Sequence, residues 1–178
     1  LAVLSNVYAQ GNKEYLMKAS ASMNEKNYLK AAEYFTDAIS LNNNNAELYL
    51  KRGNCFLLMS NFESALENFL AAENLNCIEA YYPLARCHAF LNEKEKAFFY
   101  LEKHLKCKQK KYQRVIKTDE AFVNFYSTAE WKNLWKKDWY SEFENQLAEA
   151  DYFLSSGKPE KAMEILNSAV EKNQSNAQ

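Results

Sequence analysis

Residues that turn or break the chain are scarce. The 178 residues include three glycines and two prolines. β-Hairpins and phosphate-cradling loops depend on glycine, because their backbones adopt positive φ angles or approach a ligand closely. The shortage therefore argues against a strand-rich fold and a nucleotide-binding loop. It favours an all-α protein whose helices are joined by short polar turns.

Catalytic and metal-binding patterns are also missing. There are two histidines, and no zinc-protease spacing, Gly-x-Ser-x-Gly or Cys-x-x-Cys sequence occurs. The nearest approach to a metal-binding set is irregularly spaced and consists of Cys77, Cys87, His88, His104 and Cys107. We therefore expect no catalytic residue, no metal site and no cofactor.

The chain also has no large excess of positive or negative charge. It contains 22 Lys and Arg residues and 23 Asp and Glu residues, which gives a formal net charge of −1. Proteins that bind nucleic acids depend on clustered positive charge. Beyond the first ten residues, no apolar run approaches the roughly 20 residues that a transmembrane helix needs. We expect no nucleic-acid partner and no transmembrane span in the mature chain.

The N-terminus differs from the rest of the chain. Leu1–Gln10 is apolar, and Val7 and Ala9 put small side chains at the two positions that a signal peptidase recognises. Residues 1–9 are therefore predicted to be the tail of an export signal, which would make the mature protein periplasmic or secreted. The alternative is a cytoplasmic protein in which these residues form an ordinary N-terminal helix.

The chain does contain a repeat. The segment that starts at Tyr15 aligns with the segment that starts at Tyr49, 34 residues further along. The paired positions are Tyr15 and Tyr49, Ala19 and Gly53, Ala31 and Ala65, Phe35 and Phe69, and Ala38 and Ala72. A third copy has Tyr81, Ala85, Ala97 and Leu101 at these places, and a fourth has Ala150, Phe153, Ala162, Leu166 and Ala169. A unit of this length cannot bury its apolar face alone, so the repeat predicts a stacked helical array.

The repeat resembles the tetratricopeptide repeat, whose pattern is W-x2-L-G-x2-Y, then A-x3-F, then P. The second copy matches best, with Tyr49, Arg52, Gly53, Phe56, Ala65, Phe69 and Ala72. Lys18 and Arg52 replace the leucine, and no copy carries the late proline. The resemblance implies an all-α, right-handed superhelix of stacked antiparallel helix pairs. It also implies a non-catalytic scaffold that binds another protein or a peptide.

The repeat spacing divides the chain into segments. The predicted repeats are residues 12–45, 46–77, 78–106 and 139–176, with an insert at residues 107–138. The fourth repeat is expected to continue beyond the chain. Its last helix carries apolar residues that the next repeat would cover, so we expect self-association through the C-terminal end face.

The insert is predicted to be helical and aromatic. It begins with a basic run, after which Thr118 is expected to cap one short helix. Ser127 and Glu130 have the spacing of a capping box for a second helix. That helix would place Trp131, Trp135 and Trp139 on one stripe. The stripe is either a core that packs against a neighbouring helix or an exposed platform for an acidic or aromatic ligand.

A binding groove is predicted on the first helix of each repeat, one residue beyond each signature aromatic. One apolar row is Leu16, Leu50, Tyr82 and Leu147, and the polar row is Ser20, Asn54, Arg86 and Asp151. The other apolar row is Met23, Leu57, Ala89 and Leu154, with Leu58 and Phe90 beside it. Two apolar rows around a polar row fit a peptide or helix with apolar anchors. Alternatively, several of these leucines pack against neighbouring helices.

Three functions remain open on the sequence. The favoured one is a protein-binding scaffold in a bacterial cell envelope. The second is a recruiting or regulatory arm of a longer multidomain protein. The third is a glycan-binding or small-molecule-binding helical protein that uses the tryptophan stripe.

Overall fold

Every regular element between residues 2 and 175 is a helix. The computed structural model describes the backbone of these residues and the side chains of residues 11–172. The α-helices are α1 (Ala2–Asn24), α2 (Tyr28–Leu41), α3 (Ala46–Leu58), α4 (Phe62–Asn74), α5 (Tyr81–Phe90), α6 (Lys94–Leu105), α7 (Gln113–Lys117), α8 (Ala129–Leu134), α9 (Glu142–Ser155) and α10 (Pro159–Ser175). Short 3-10 helices span Ile78–Ala80 and Glu120–Phe125. The predicted all-α fold of stacked helix pairs is confirmed.

The chain forms two compact units. Unit 1 consists of Leu1–Lys110 and Glu120–Asn124, and unit 2 of Lys111–Asp119 and Phe125–Gln178. In unit 1, α1 packs on α2, α3 on α4 and α5 on α6, while α2 meets α3 and α4 meets α5 across neighbouring pairs. In unit 2, α9 packs on α10. The predicted repeat boundaries stay predictions.

Asparagine side chains cap the N-termini of three helices. Asn27, Asn45 and Asn61 accept hydrogen bonds from backbone N–H groups in the first turns of α2, α3 and α4. Lys26 and Ser60, 34 residues apart, each have a φ of 57° immediately before a capping asparagine. The same turn therefore recurs in both repeats, since a capped N–H and a left-handed residue together reverse the chain direction.

The core of unit 1 is built from alanines and a few large side chains. One cluster comprises Ala19, Ala31, Ala32, Phe35, Ala38, Ile39, Leu48 and Cys55. A second comprises Ala65, Phe69, Ala72, Ala80, Leu84 and Cys87. The alanines let neighbouring helices approach closely, and the two phenylalanines fill the remaining space. Ala31, Phe35 and Ala38 of the first cluster align with Ala65, Phe69 and Ala72 of the second in the 34-residue repeat.

A polar network links three helices of unit 1. Arg52 Nε donates to Asn68 Oδ1 at 2.7 Å, and Arg52 Nη1 donates to Thr36 Oγ1 at 3.0 Å. Asn68 is buried and its amide also donates to the Ser64 carbonyl at 2.8 Å. Burial lowers the pKa of Arg52. Arg52 thus replaces the family's leucine with a hydrogen-bonded link between α2, α3 and α4.

The prediction of one helix carrying three tryptophans is wrong. Helix α8 ends at Leu134, so Trp135 and Trp139 lie beyond it. Trp139 Nε1 donates to the Leu134 carbonyl at 2.7 Å, which satisfies a carbonyl at the end of the helix. Trp131 is buried, whereas the other two indoles are half-buried. The three rings therefore do not form a single helical stripe.

Both helix caps predicted in the insert are also wrong. Thr118 follows the last residue of α7 and its hydroxyl donates to the Arg114 carbonyl, so it ends a helix. Thr128, not Ser127, caps α8 by accepting from the Trp131 backbone N–H at 3.2 Å. A one-residue shift of the cap is sufficient to disrupt a predicted capping box.

Candidate functional site

A pocket opens on the predicted binding face of unit 1, between α1 and α3. Its volume is about 230 Å³, and it is lined by Ser20, Met23, Asn24, Phe35, Lys51 and Asn54. The structure thus brings together three of the predicted groove residues, namely Ser20, Met23 and Asn54. Sequence reasoning missed the other three lining residues, Asn24, Phe35 and Lys51. Lys51 could have been found, because it lies one helical turn before Asn54 on the same face of α3.

The pocket has an apolar floor and a polar rim. Phe35 is buried and Met23 half-buried. The Cys55 thiol donates to Met23 Sδ at 3.4 Å, and burial raises the pKa of Cys55 to about 11, which keeps the thiol protonated. The rim carries the Ser20 hydroxyl, two asparagine amides and Lys51, whose Nζ is 2.8 Å from Glu47 Oε1. Such a pocket accepts an apolar group while its rim hydrogen-bonds the groups beside it.

Most residues in the apolar rows of the predicted groove on α1 and α3 pack against the core clusters. Leu16 packs against the first cluster, as does Met23. Leu50 and Leu57 pack against the second cluster. Leu58, by contrast, is 53% exposed. Leu16, Met23, Leu50 and Leu57 are partly buried. Each therefore packs against the core with part of its side chain and leaves the rest accessible to a ligand.

The predicted groove is wrong at Tyr82. This side chain is buried, with its ring centroid 5.0 Å from His104 and 6.2 Å from Phe122. Phe122 belongs to the short 3-10 helix of the insert, of which residues Glu120–Asn124 group with unit 1. The repeat pattern contains no equivalent of this segment, so the repeat alone could not predict that it covers the Tyr82 position.

The neighbouring predicted residues on α5 also contact other parts of unit 1. Arg86 Nη2 lies 3.8 Å from Glu120 Oε1 and its guanidinium is 5.6 Å from the Phe90 ring centroid. Phe90 stacks on Phe62 with ring centroids 4.4 Å apart, and Ala89 is buried. The third repeat therefore offers less open surface than the first two.

The predicted groove residues of unit 2 lie on α9. Leu147 is half-buried, Asp151 is exposed and Leu154 is 53% exposed. A larger pocket, of about 450 Å³, forms on a different face of the same helix. It is lined by Tyr112, Gln113, Arg114, Lys117, Thr118, Tyr140, Asn145, Ala148, Glu149 and Tyr152. The sequence signal for that face was the i, i+3, i+4 and i+7 spacing of Asn145, Ala148, Glu149 and Tyr152.

Both histidines have structural partners. His88 Nδ1 lies 2.6 Å from Glu93 Oε2, and its ring stacks on Tyr100 at 5.4 Å. The hydrogen bond from His88 is the main reason why the pKa of Glu93 is lowered. His104 is buried against Tyr82. Within the described residues, no group of three or more His, Cys, Asp or Glu side chains could hold a metal ion.

Comparison with known families identifies the first helix pair. A family model described as the tetratricopeptide repeat matches residues 15–45. The predicted resemblance is confirmed. In this tetratricopeptide repeat, the buried signature residues Ala19, Ala31 and Phe35 form the core, whereas Ser20 is exposed at the pocket rim. The family generally acts through protein binding, which supports an interaction scaffold as the general class of function.

A solved structure shares the fold at low sequence identity. A crystal structure of MamA protein is similar to this chain with a TM-score of 0.62 and 16% identity, covering 95% of each chain. A second MamA crystal structure has 17% identity, covers 93% of this chain and 80% of that chain, and has a TM-score of 0.49. A search of curated proteins found no match. At 16% identity the likeness to the first of these structures shows the fold alone.

Within the described part of the chain, no helix combines the length and the apolar character that are needed to cross a membrane.

Proposed function

We propose that unit 1 is a non-catalytic scaffold that binds a peptide or helix of another protein at the pocket between α1 and α3. The observation that carries this proposal is the position of the pocket, on the first helices of two stacked repeats and between them. The polar lining residues come from α1 and α3, and the apolar ones are Met23 and Phe35, which also belong to or pack against the first core cluster. The matched repeat family supports binding as the activity.

The lining residues indicate how a peptide would be held. An apolar side chain would rest on Met23 and Phe35, because both present carbon and sulfur atoms to the pocket. The side chains of Asn24 and Asn54 each contain a donor and an acceptor, so they match the N–H and C=O groups of a peptide backbone. Lys51 adds one positive charge at the rim.

Blocking the pocket should abolish peptide binding without unfolding the protein. Random phage-displayed peptides would be selected on the purified protein, and affinities of the selected peptides measured by fluorescence anisotropy. Ser20→Trp places a large ring at the exposed rim and should weaken binding at least tenfold. Asn54→Ala should weaken it by about two- to tenfold through loss of hydrogen bonding.

The matched control is Ala21→Trp, which puts the same ring on an exposed neighbouring position of α1 that does not line the pocket. This variant should bind as the unmodified protein does. Circular dichroism should show the same helix content for all three variants. If Ser20→Trp and Ala21→Trp bound the selected peptides with equal affinity, the pocket would not be the peptide-binding site.

We also propose that the protein works in the cell envelope after export. This proposal is supported by the Val7 and Ala9 positions in the sequence, and the side chains of residues 1–10 lie outside the described residues. In bacteria that express the natural full-length reading frame, fractionation should find the protein outside the cytoplasm, and N-terminal sequencing should give Gln10 as the first residue. A cytoplasmic product that retains Leu1–Ala9 would contradict export.

A further inference from the structure

The larger pocket, in unit 2, has a wall on each of two helices. Asn145, Ala148, Glu149 and Tyr152 follow one another along one face of α9. Residues of the short helix α7 and its flanks form the other wall, and Tyr140, two residues before α9, completes the lining. The volume of about 450 Å³ lies within the range of ligand sites, roughly 300–1,000 Å³. It shares no lining residue with the unit 1 pocket.

Two cations stand over aromatic rings at this site. The guanidinium of Arg114 is 4.6 Å from the centroid of Tyr152. Lys117 Nζ is 4.8 Å from the centroid of Trp135. These contacts hold both charges near the pocket, which they line. Glu149 is the one carboxylate among the lining residues, so positive charge is in excess there.

Tyrosines supply much of the apolar lining. Tyr112, Tyr140 and Tyr152 all line the pocket. The Tyr140 hydroxyl donates to the Lys111 carbonyl at 2.6 Å, which ties the start of α9 to the segment before α7. Burial raises the pKa of Tyr140, so its phenol stays protonated and keeps this bond near neutral pH. Rigid aromatic rings offer a large contact area with little loss of side-chain freedom.

We propose that the unit 2 pocket binds an acidic peptide that inserts an aromatic side chain. The inserted ring packs against Tyr112 and Tyr152, and carboxylates on either side of it pair with Arg114 and Lys117. The amides of Gln113 and Asn145 line the pocket and can hydrogen-bond the peptide backbone. The pocket is partly open to solvent. That opening suits a side chain presented by a peptide better than a free small molecule, which a site usually encloses on most sides.

The test measures binding of a fluorescein-labelled peptide, acetyl-Glu-Glu-Phe-Glu-Glu-amide, by anisotropy at low ionic strength. Arg114→Gln and Tyr152→Ala should each weaken binding about fivefold, as expected for one partly exposed cation–π or ionic contact. Glu149→Gln should strengthen binding about twofold, because it removes the only carboxylate from the lining. Raising the salt concentration should weaken binding of the unmodified protein.

The matched control is Lys158→Gln, which removes a positive charge from an exposed turn of the same unit outside the pocket. It should leave the affinity unchanged, and circular dichroism should show that every variant folds. Equal binding of acetyl-Lys-Lys-Phe-Lys-Lys-amide, or equal losses in Arg114→Gln and Lys158→Gln, would overturn the charge assignment. Binding of free N-acetylphenylalanine as tight as that of the peptide would overturn the peptide assignment in favour of a small aromatic acid.

A variant in the other unit separates this proposal from the proposed function. Ser20→Trp should leave binding of the acidic peptide unchanged, since Ser20 lines only the unit 1 pocket. A loss of acidic-peptide binding in Ser20→Trp would move that peptide to unit 1 and overturn the unit 2 site.

Discussion

Replacing Phe69 with alanine should lower the free energy of unfolding by about 3–5 kcal/mol. Phe69 is fully buried in the second cluster of unit 1, among Ala65, Ala72 and Leu84. Its removal costs the transfer energy of the ring and leaves a cavity, because the small residues around it cannot collapse into the space. Urea denaturation followed by circular dichroism measures the change.

Phe99→Ala is the control for this experiment. Phe99 lies on α6 and is 59% exposed, so deleting the same ring there should cost less than about 1 kcal/mol. Because both variants lose the same side chain, the difference between their free energies of unfolding measures the effect of burial alone. Equal losses in both variants would mean that Phe69 is not a core residue.

Adding one methyl group at Gly53 should lower the free energy of unfolding by about 1–3 kcal/mol. A Cβ atom there would lie 2.7 Å from Phe69 Cε1 and 2.9 Å from Phe69 Cδ1. Alanine is favoured over glycine inside a helix by about 1 kcal/mol, but the clash is the larger effect because the ring is fully buried and cannot move away. Thermal or urea denaturation of Gly53→Ala measures the net change.

Two further variants test this explanation. In Gly11→Ala, the new Cβ would meet only the tip of the Leu41 side chain, at 3.3 Å, so helix propensity should prevail and stability should be unchanged or slightly higher. Phe69→Leu removes ring atoms near Gly53, so Gly53→Ala should cost less in a Phe69→Leu background than alone. Strictly additive costs in that double-mutant cycle would contradict a direct clash.

The helix pairs of unit 1 were predictable because the information for them is local and repeated. The first two copies carry Ala31, Phe35 and Ala38, and Ala65, Phe69 and Ala72, at the same spacing, and the capping residues Asn27 and Asn61 recur 34 residues apart. An apolar period of this kind specifies which face of a helix is buried whatever lies further away. The pocket residues Ser20, Met23 and Asn54 could be named for the same reason, since they lie beside the buried signature positions.

The insert was less predictable because its helices are short and their ends depend on single hydrogen bonds. Helix α8 has six residues and ends where the Trp139 indole meets the Leu134 carbonyl. A helix pattern extended through Trp135 and Trp139 looks equally regular in the sequence. Short helices gain little from propensity alone, so their tertiary contacts decide where they stop.

The sequence by itself determined the all-α class, the stacked helix pairs and the alanine-lined core, because these follow from a hydrophobic period written several times along the chain. Only the tertiary structure decided that Phe122 lies against Tyr82 and that Arg114 and Tyr152 meet at one pocket. These pairs are about 40 residues apart in the chain and belong to no repeated pattern. Contacts of that kind depend on where segments of the insert pack, against α5 in unit 1 and against α9 in unit 2, which no local period encodes.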